Sequence, residues 1–257
     1  MTKPLVGKRA LVTGAARNIG RAIALRLARD GAEVAIHCHT SKDQARAVLK
    51  AIEDEGGRGF IVAADLATPT GIEALAGQLE TGFGRHGASA LDILVNNAAM
   101  IAEGGDTIAT LTEKAFDGIF GINLKAAVFL SQRLAPMLAD GGRIINLSSR
   151  PSTVAFPFGI TYAMTKAALN SVTKSLAKEL GPRGITVNAI GPGVIETDRT
   201  IPRMLATAEA RAAIVATTAL KRVGGGPDIA DAVAFFVSDD ARWMTGAYVE
   251  VAGGAGI

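Results

Sequence analysis

Short apolar runs recur along this chain, separated by longer stretches with helical spacing, and this alternation limits the possible folds more than any other feature. The runs ALVT, DILV and RIIN are nearly continuous in apolar residues, as expected of strands covered on both faces by helices in a parallel sheet. Strands are predicted at residues 9–13, 33–37, 59–63, 92–95, 143–147, 186–189 and 248–251. Helices are predicted at 19–30, 42–55, 71–83, 113–138 and 162–180, with Pro136 marking the last turn of the longest. Repeated βα units predict an α/β fold: a doubly wound, mostly parallel sheet of about seven strands with helices on both faces. Such a sheet binds ligands at the carboxyl ends of its strands.

A chain of 257 residues is of a size for one domain, here 1–257, and nothing in its composition suggests a linker. Two segments read as irregular, 85–90 and 191–218. The second exceeds an ordinary βα connection, so residues 192–218 are expected to form a substrate lid. Cys38 is the sole cysteine, which rules out an internal disulfide and a zinc–cysteine cluster and fits a reducing, cytoplasmic compartment; no metal is expected. The start lacks the pattern of a secretion signal, and no apolar stretch is long enough to span a bilayer. The formal charge is +3, but basic residues are scattered among acids without interleaved aromatics, so neither nucleic acid nor membrane is an expected partner.

The segment ALVTGAARNIGRAIALRLA runs from strand to turn to helix. Gly14 and Gly20 allow close backbone approach, and the helix start offers amides to a phosphate. Asn18 is the non-glycine type that best tolerates left-handed geometry, so the turn is expected to survive it. An ordinary strand-to-helix turn is the alternative. Farther on, TYAMTKAAL sets Tyr162 and Lys166 four residues apart, on one helix face. A neighbouring cation favours phenolate. Moving a tyrosine from about 10 to near 7 takes roughly 4 kcal/mol, which a dry cleft can supply. The same spacing also suits a plain amphipathic face with a lysine lying along an aromatic ring.

Taken together, TGAARNIG, the Asn96-Asn97-Ala98-Ala99 run, Asn123, Ser149, Tyr162 with Lys166, Pro192-Gly193 with Thr197, and the C-terminal TGAYVEVAGG resemble the short-chain dehydrogenase/reductase family in order over nearly the whole chain. Asn18 stands where that family has its middle glycine, NNAA replaces NNAG, and Ala252 replaces an aspartate. The resemblance implies a single-domain Rossmann fold and four catalytic residues. Tyr162 is then the general acid or base, and Lys166 lowers its pKa and binds the nicotinamide ribose. Ser149, rather than Ser148, holds the substrate oxygen, and Asn123 interrupts a helix hydrogen bond and holds a water serving Lys166.

For the cofactor, the resemblance implies contacts from Gly14, Arg17, Asn18, Ile19, Gly20, His39, Thr40, Ser41, Asp65, Leu66, Asn97, Ala98, Tyr162, Lys166, Pro192, Gly193, Ile195 and Thr197, with Asn96 shaping the floor. An enzyme preferring NAD usually ends its second strand with an acid. Cys38 occupies that point, Glu33 lies at the wrong end, and Arg17 with His39, Thr40, Ser41 and Lys42 can surround a phosphate, so NADP(H) is preferred and NAD(H) remains possible.

Expected pocket residues are Met100, Arg150, Phe156, Phe158, Ile195 and 201–205, mostly apolar, which suits a small-molecule ketone or secondary alcohol. Arg150 either meets an anionic group or forms a surface salt bridge. The reaction expected is reversible NADPH-dependent reduction of a ketone. A 3-oxoacyl-[acyl carrier protein] reductase, a sugar or polyol dehydrogenase and a noncatalytic NADPH sensor remain alternatives. An acyl carrier partner calls for a basic patch, to which Arg133, Arg143 and Arg183 are possible contributors. Related enzymes imply a homotetramer, with Phe129 and Leu176 on the helices expected to pair.

Overall fold

A computed structural model describes residues 3–84, 90–102 and 104–257. Its centre is one sheet of seven strands among the described residues, in the order β3-β2-β1-β4-β5-β6-β7. Every pairing is parallel, from Arg9↔Glu33 between β1 (Arg9–Val12) and β2 (Glu33–Cys38) to Ala189↔Tyr248 between β6 (Thr186–Pro192) and β7 (Tyr248–Val251). β3 is Arg58–Ala63, β4 Leu91–Asn96 and β5 Leu138–Leu147. The chain reverses direction across the sheet between β1 and β4, the switch point where ligands of open α/β sheets sit.

Two apolar layers sandwich the sheet. On one face α1 (Asn18–Arg29), α2 (Lys42–Asp54) and α9 (Gly226–Val237) bury Ile23, Leu27, Val48, Ile52, Val233 and Phe236 against Val12, Val34 and Ile36. On the other, α3 (Pro69–Gly84), α5 (Ala126–Leu134) and α6 (Ile160–Leu180) pack Leu75, Leu79, Phe83, Leu130 and Leu180 against Leu11, Leu94 and Ile144. Adjacent residues of one strand thus feed opposite cores, which is why the strands read as unbroken apolar runs.

The predicted helix 113–138 is not continuous. α4 (Glu113–Phe120) passes into a π-helical turn at Gly121–Lys125, then α5, and a 3-10 turn at Ala135–Met137. Pro136 cannot continue the α-helical ladder, so residue 138 already belongs to β5. That strand pairs at Leu91↔Leu138 and again from Ile93↔Arg143, with Gly141 at φ 75° absorbing the irregularity between them. Segment 191–218 is also more ordered than its sequence indicates. It contains the end of β6, then α7 (Thr200–Met204) and α8 (Ala208–Thr217), whose N-cap Thr207 accepts from the Ala210 N–H. α9 is absent from the predicted helices, although Asp228 accepts from the Gly225 N–H at 2.7 Å to mark its start. Of the expected loop at 85–90, residues 85–89 lie outside the described residues. No helix among the described residues is long and apolar enough to cross a membrane.

Candidate active site

The glycine turn at the end of β1 is held by groups distant in sequence. Gly14 has φ 63° and Asn18 φ 52°, so Asn18 does adopt the left-handed backbone expected of it. A Cβ on Gly20 would lie 2.2 Å from the Gly14 carbonyl oxygen, so only glycine lets α1 start this close to the turn. The Thr13 hydroxyl accepts from the backbone N–H groups of Asn97 and Ala98 at 2.8 and 2.9 Å, and the Asn97 amide donates to the Thr13 carbonyl at 2.7 Å. β1 and β4 are thereby stitched together where the ligand cleft opens.

His37 completes this turn and has no counterpart in the sequence reading. Its Nδ1 accepts from the Gly14 N–H at 3.0 Å, and its Nε2 lies 3.1 Å from the Ala64 carbonyl. Burial pushes its pKa down to about 4, against the opposing bond to Ala64, and so keeps the ring neutral and able to accept. The available signal was a lone histidine in the otherwise buried run EVAIHC.

Arg17, Asn18, Ile19 and Gly20 open α1, and no side chain caps its free N–H groups. Such a cradle fits a dinucleotide pyrophosphate. At the end of β2, His39 and Thr40 are exposed and Ser41 half-buried, whereas Cys38 is 2% exposed and packs into the core. Burial raises the Cys38 thiol pKa, so this side chain is a packing element. Glu33 is buried at the opposite end of the strand. At the exit of β3 the Asp65 carboxylate accepts from the Ala67 N–H at 3.0 Å, and Leu66 is buried in the core. The Asn96 side chain does not face the floor of the cleft as expected. It points into a buried polar network, donating to Asn146 at 2.9 Å and Ser131 at 3.1 Å, and leaves the floor to Asn97 and Ala98. On the far side, Gly193 packs on Ala252, Ile195 is buried, and Thr197 and Thr200 exchange hydrogen bonds at the start of α7.

The candidate catalytic side chains Ser149, Tyr162 and Lys166 meet where β5 ends and α6 begins. Ser148 turns away, its hydroxyl donating to the Lys166 carbonyl at 3.2 Å, while the Ser149 hydroxyl hydrogen-bonds that of Tyr162. The two serines, just past the end of β5, thus point in different directions. Lys166 is 3% exposed; its Nζ lies 5.5 Å from the centre of the Tyr162 ring and donates to the Leu147 carbonyl at 2.6 Å. Asp106, itself 2% exposed, accepts from the Thr161 N–H at 2.9 Å and fixes the first turn of α6 directly before Tyr162. Asn123 lies within the π-helical turn. Its side chain accepts from the Met100 N–H at 2.8 Å and donates to the Met100 carbonyl at 2.9 Å, anchoring the chain after β4.

The electrostatics depart from the sequence reading. The Tyr162 pKa is raised, chiefly by burial, against the Ser149 hydrogen bond and the charge of Arg199. Lys166 is not the cation that opposes the rise. Burial lowers the lysine pKa to about 8, and a backbone carbonyl holds its amine. Arg199, which the sequence reading passes over, supplies that charge from segment 192–218 and donates to the Ala99 carbonyl at 3.1 Å.

Along the expected pocket, Met100, Phe158, Ile201 and Met204 expose apolar surface, Phe156 is half-buried and Leu205 buried. Arg150 pairs with Glu250 at 2.9 Å, in line with the salt-bridge alternative. A groove of about 380 Å³ between α1 and α9 lies behind the turn and contains none of the catalytic candidates. No cluster of potential metal ligands occurs among the described residues.

Comparison with known proteins defines the class. Residues 14–256 match the family model described as enoyl-(acyl carrier protein) reductase, and the chain belongs to the short-chain dehydrogenase/reductase family of oxidoreductases. Among its relatives is the 3-oxoacyl-[acyl-carrier-protein] reductase FabG of Staphylococcus aureus, 38% identical over 96% of this chain and 97% of the relative. Two solved structures are each 42% identical with a TM-score of 0.93. The angucycline C-6 ketoreductase LanV with bound NADP covers 100% of this chain and 98% of its own. The promiscuous reductase LugOII, which catalyses keto-reduction at C1 during lugdunomycin biosynthesis, covers 99% and 100%.

Proposed function

We propose that this protein is an NADPH-dependent reductase of small-molecule ketones in which Tyr162 transfers the proton. The observation that carries the reading is the Ser149–Tyr162 hydroxyl pair at the carboxyl edge of the sheet, with a buried amine on the next helical turn. When bound, the reduced nicotinamide supplies the hydride. Ser149 and Tyr162 together bind the carbonyl oxygen, and Tyr162 gives it a proton as negative charge develops there. A raised tyrosine pKa keeps this proton in place at neutral pH, so reduction is favoured there and alcohol oxidation at higher pH. Lys166 holds the ribose side of the nicotinamide, and its own pKa of about 8 lets it lose and regain a proton near neutrality. Segment 192–218 serves as the lid, and its exposed apolar residues favour a substrate with a hydrophobic body.

The ketoreductase relatives support this reading, and the three arginines considered for a carrier-protein contact are each paired with acids. Arg133 is paired with Glu73 and Glu80, Arg143 with Asp239, and Arg183 with Asp140. Leu176 packs inward, while Phe129 is 44% exposed on α5 and fits the outer face of an assembling subunit. The reading is tested by following loss of reduced-nicotinamide absorbance with a panel of aromatic and alicyclic ketones. Turnover with NADPH is expected; tight NADPH binding without turnover on any carbonyl would favour a sensor.

The phosphate preference is tested at Arg17, which is half exposed and therefore replaceable without loss of the fold. Arg17→Ala is expected to weaken NADPH by roughly 10- to 100-fold, the worth of a charge-assisted bond, while NADH stays within about threefold. Equal losses for both dinucleotides in a fluorescence titration would place the 2′-phosphate elsewhere.

A further inference from the structure

We propose that Asn18 and Asp198 form a clasp that holds the start of α7 across the dinucleotide cleft, making Asn18 a positioning residue that slows release of the cofactor. This inference rests on the reading of the cleft as a dinucleotide site. Both ends of the Asn18 amide engage one residue 180 positions away: Nδ2 donates to Asp198 Oδ2 at 3.3 Å, and Oδ1 accepts from the Asp198 backbone N–H at 3.1 Å. Two bonds from one planar amide fix orientation as well as distance. The turn itself does not require them. At φ 52° glycine would serve with less strain, so the amide is a feature that backbone geometry leaves unexplained.

The same segment is pinned on the opposite wall. Arg199 donates to the Ala99 carbonyl at 3.1 Å and Arg203 to the Ala102 carbonyl at 3.3 Å, both just beyond β4. Between the two walls, the Thr197 N–H donates to the Thr200 hydroxyl at 2.9 Å, and the Thr200 N–H donates to the Thr197 hydroxyl at 3.1 Å. This corner joins the clasp rigidly to Arg199. The segment therefore bridges the glycine turn and the β4 exit, and the cofactor cannot leave that side until one attachment opens. Arg17 is 4.0 Å from Asp198, at the limit of an ion pair, so Asn18 is the closer partner. Exposed polar contacts are individually weak, which suits a closure that must open in every catalytic cycle.

The test measures NADPH dissociation by stopped-flow fluorescence in the full chain, alongside limited trypsin cleavage after Arg199 and Arg203 without nucleotide. Asn18→Gly is expected to speed dissociation about 5- to 20-fold and to raise cleavage severalfold. Asp198→Ala should act in the same direction, and Asp198→Asn, whose side-chain oxygen still accepts, should stay near wild type. In the Asn18→Gly background Asp198→Ala should add nothing, because the partner is already gone. Additive effects in the double variant, or unchanged dissociation and cleavage in both single variants, would overturn the clasp. If wild type fails to bind NADPH, the dinucleotide reading falls, and the nucleotide-free cleavage pattern still decides the clasp.

Discussion

Tyr162→Phe is expected to lower kcat/KM for ketone reduction by about 10²- to 10⁴-fold while the NADPH dissociation constant stays within about threefold. The substitution removes one oxygen and keeps the ring that covers Lys166. Ser149 remains to hold the substrate oxygen, so substrate binding should weaken less than turnover. Neither Ser148, committed to the Lys166 carbonyl, nor Asn123, held by both backbone groups of Met100, can take over the proton transfer. Steady-state kinetics combined with a cofactor titration separates these effects. A variant that keeps a tenth or more of wild-type turnover would remove Tyr162 from the chemistry.

Lys166→Met should all but abolish turnover and yet raise thermal stability at neutral pH. The lysine has an ordinary pKa of 10.5 that burial lowers to about 8, so the folded chain disfavours its protonated form. The stability associated with the neutral amine is fully present above 10.5 and is lost as the pH falls through 8. By pH 7 the penalty is about 3 kcal/mol. Methionine removes the penalty but strands the Leu147 carbonyl, which costs roughly 1 kcal/mol. The balance predicts a melting temperature about 2 to 6 °C above wild type at pH 7. The gain should shrink as the pH approaches 10. Calorimetry across that range checks it, and a variant less stable than wild type at pH 7 would mean that burial does not disfavour the protonated amine.

The two effects have a common origin. An amine placed where water cannot solvate it destabilises the fold, and the same placement brings its pKa into the range where it can exchange a proton. Neither property is visible in the spacing of Tyr162 and Lys166, which sets only that they share a helix face.

Much of the site was nonetheless legible. Gly14 and Gly20 were recognisable because backbone conformations without a Cβ are demanded locally, and Asn18 was recognisable as a tolerated exception. Strand alternation only separates Ser148 from Ser149; the choice of Ser149 came from the family resemblance. The helix ends earlier than its spacing predicts because β5 begins just beyond Pro136, through a bulged pairing with β4 that only the sheet supplies. His37 and Arg199 went unassigned because each acts on a group far along the chain: His37 on Gly14 and Ala64, Arg199 on Ala99 and Tyr162. Asn96 was misplaced for a related reason. One pleat decides whether an asparagine at a strand end faces the cleft or the buried network with Asn146, and adjacent asparagines offer both choices.

Periodicity, turn chemistry and helical spacing act over a few residues, so the parallel α/β sheet, the glycine turn and the shared helix face of Tyr162 and Lys166 were legible in the chain. Tertiary structure alone decided the neutral His37, the direction of the Tyr162 and Lys166 pKa shifts, and the attachment of segment 192–218 to both walls of the cleft. Those properties depend on local dielectric and on partners brought together by folding, and neither is encoded in any short stretch of chain.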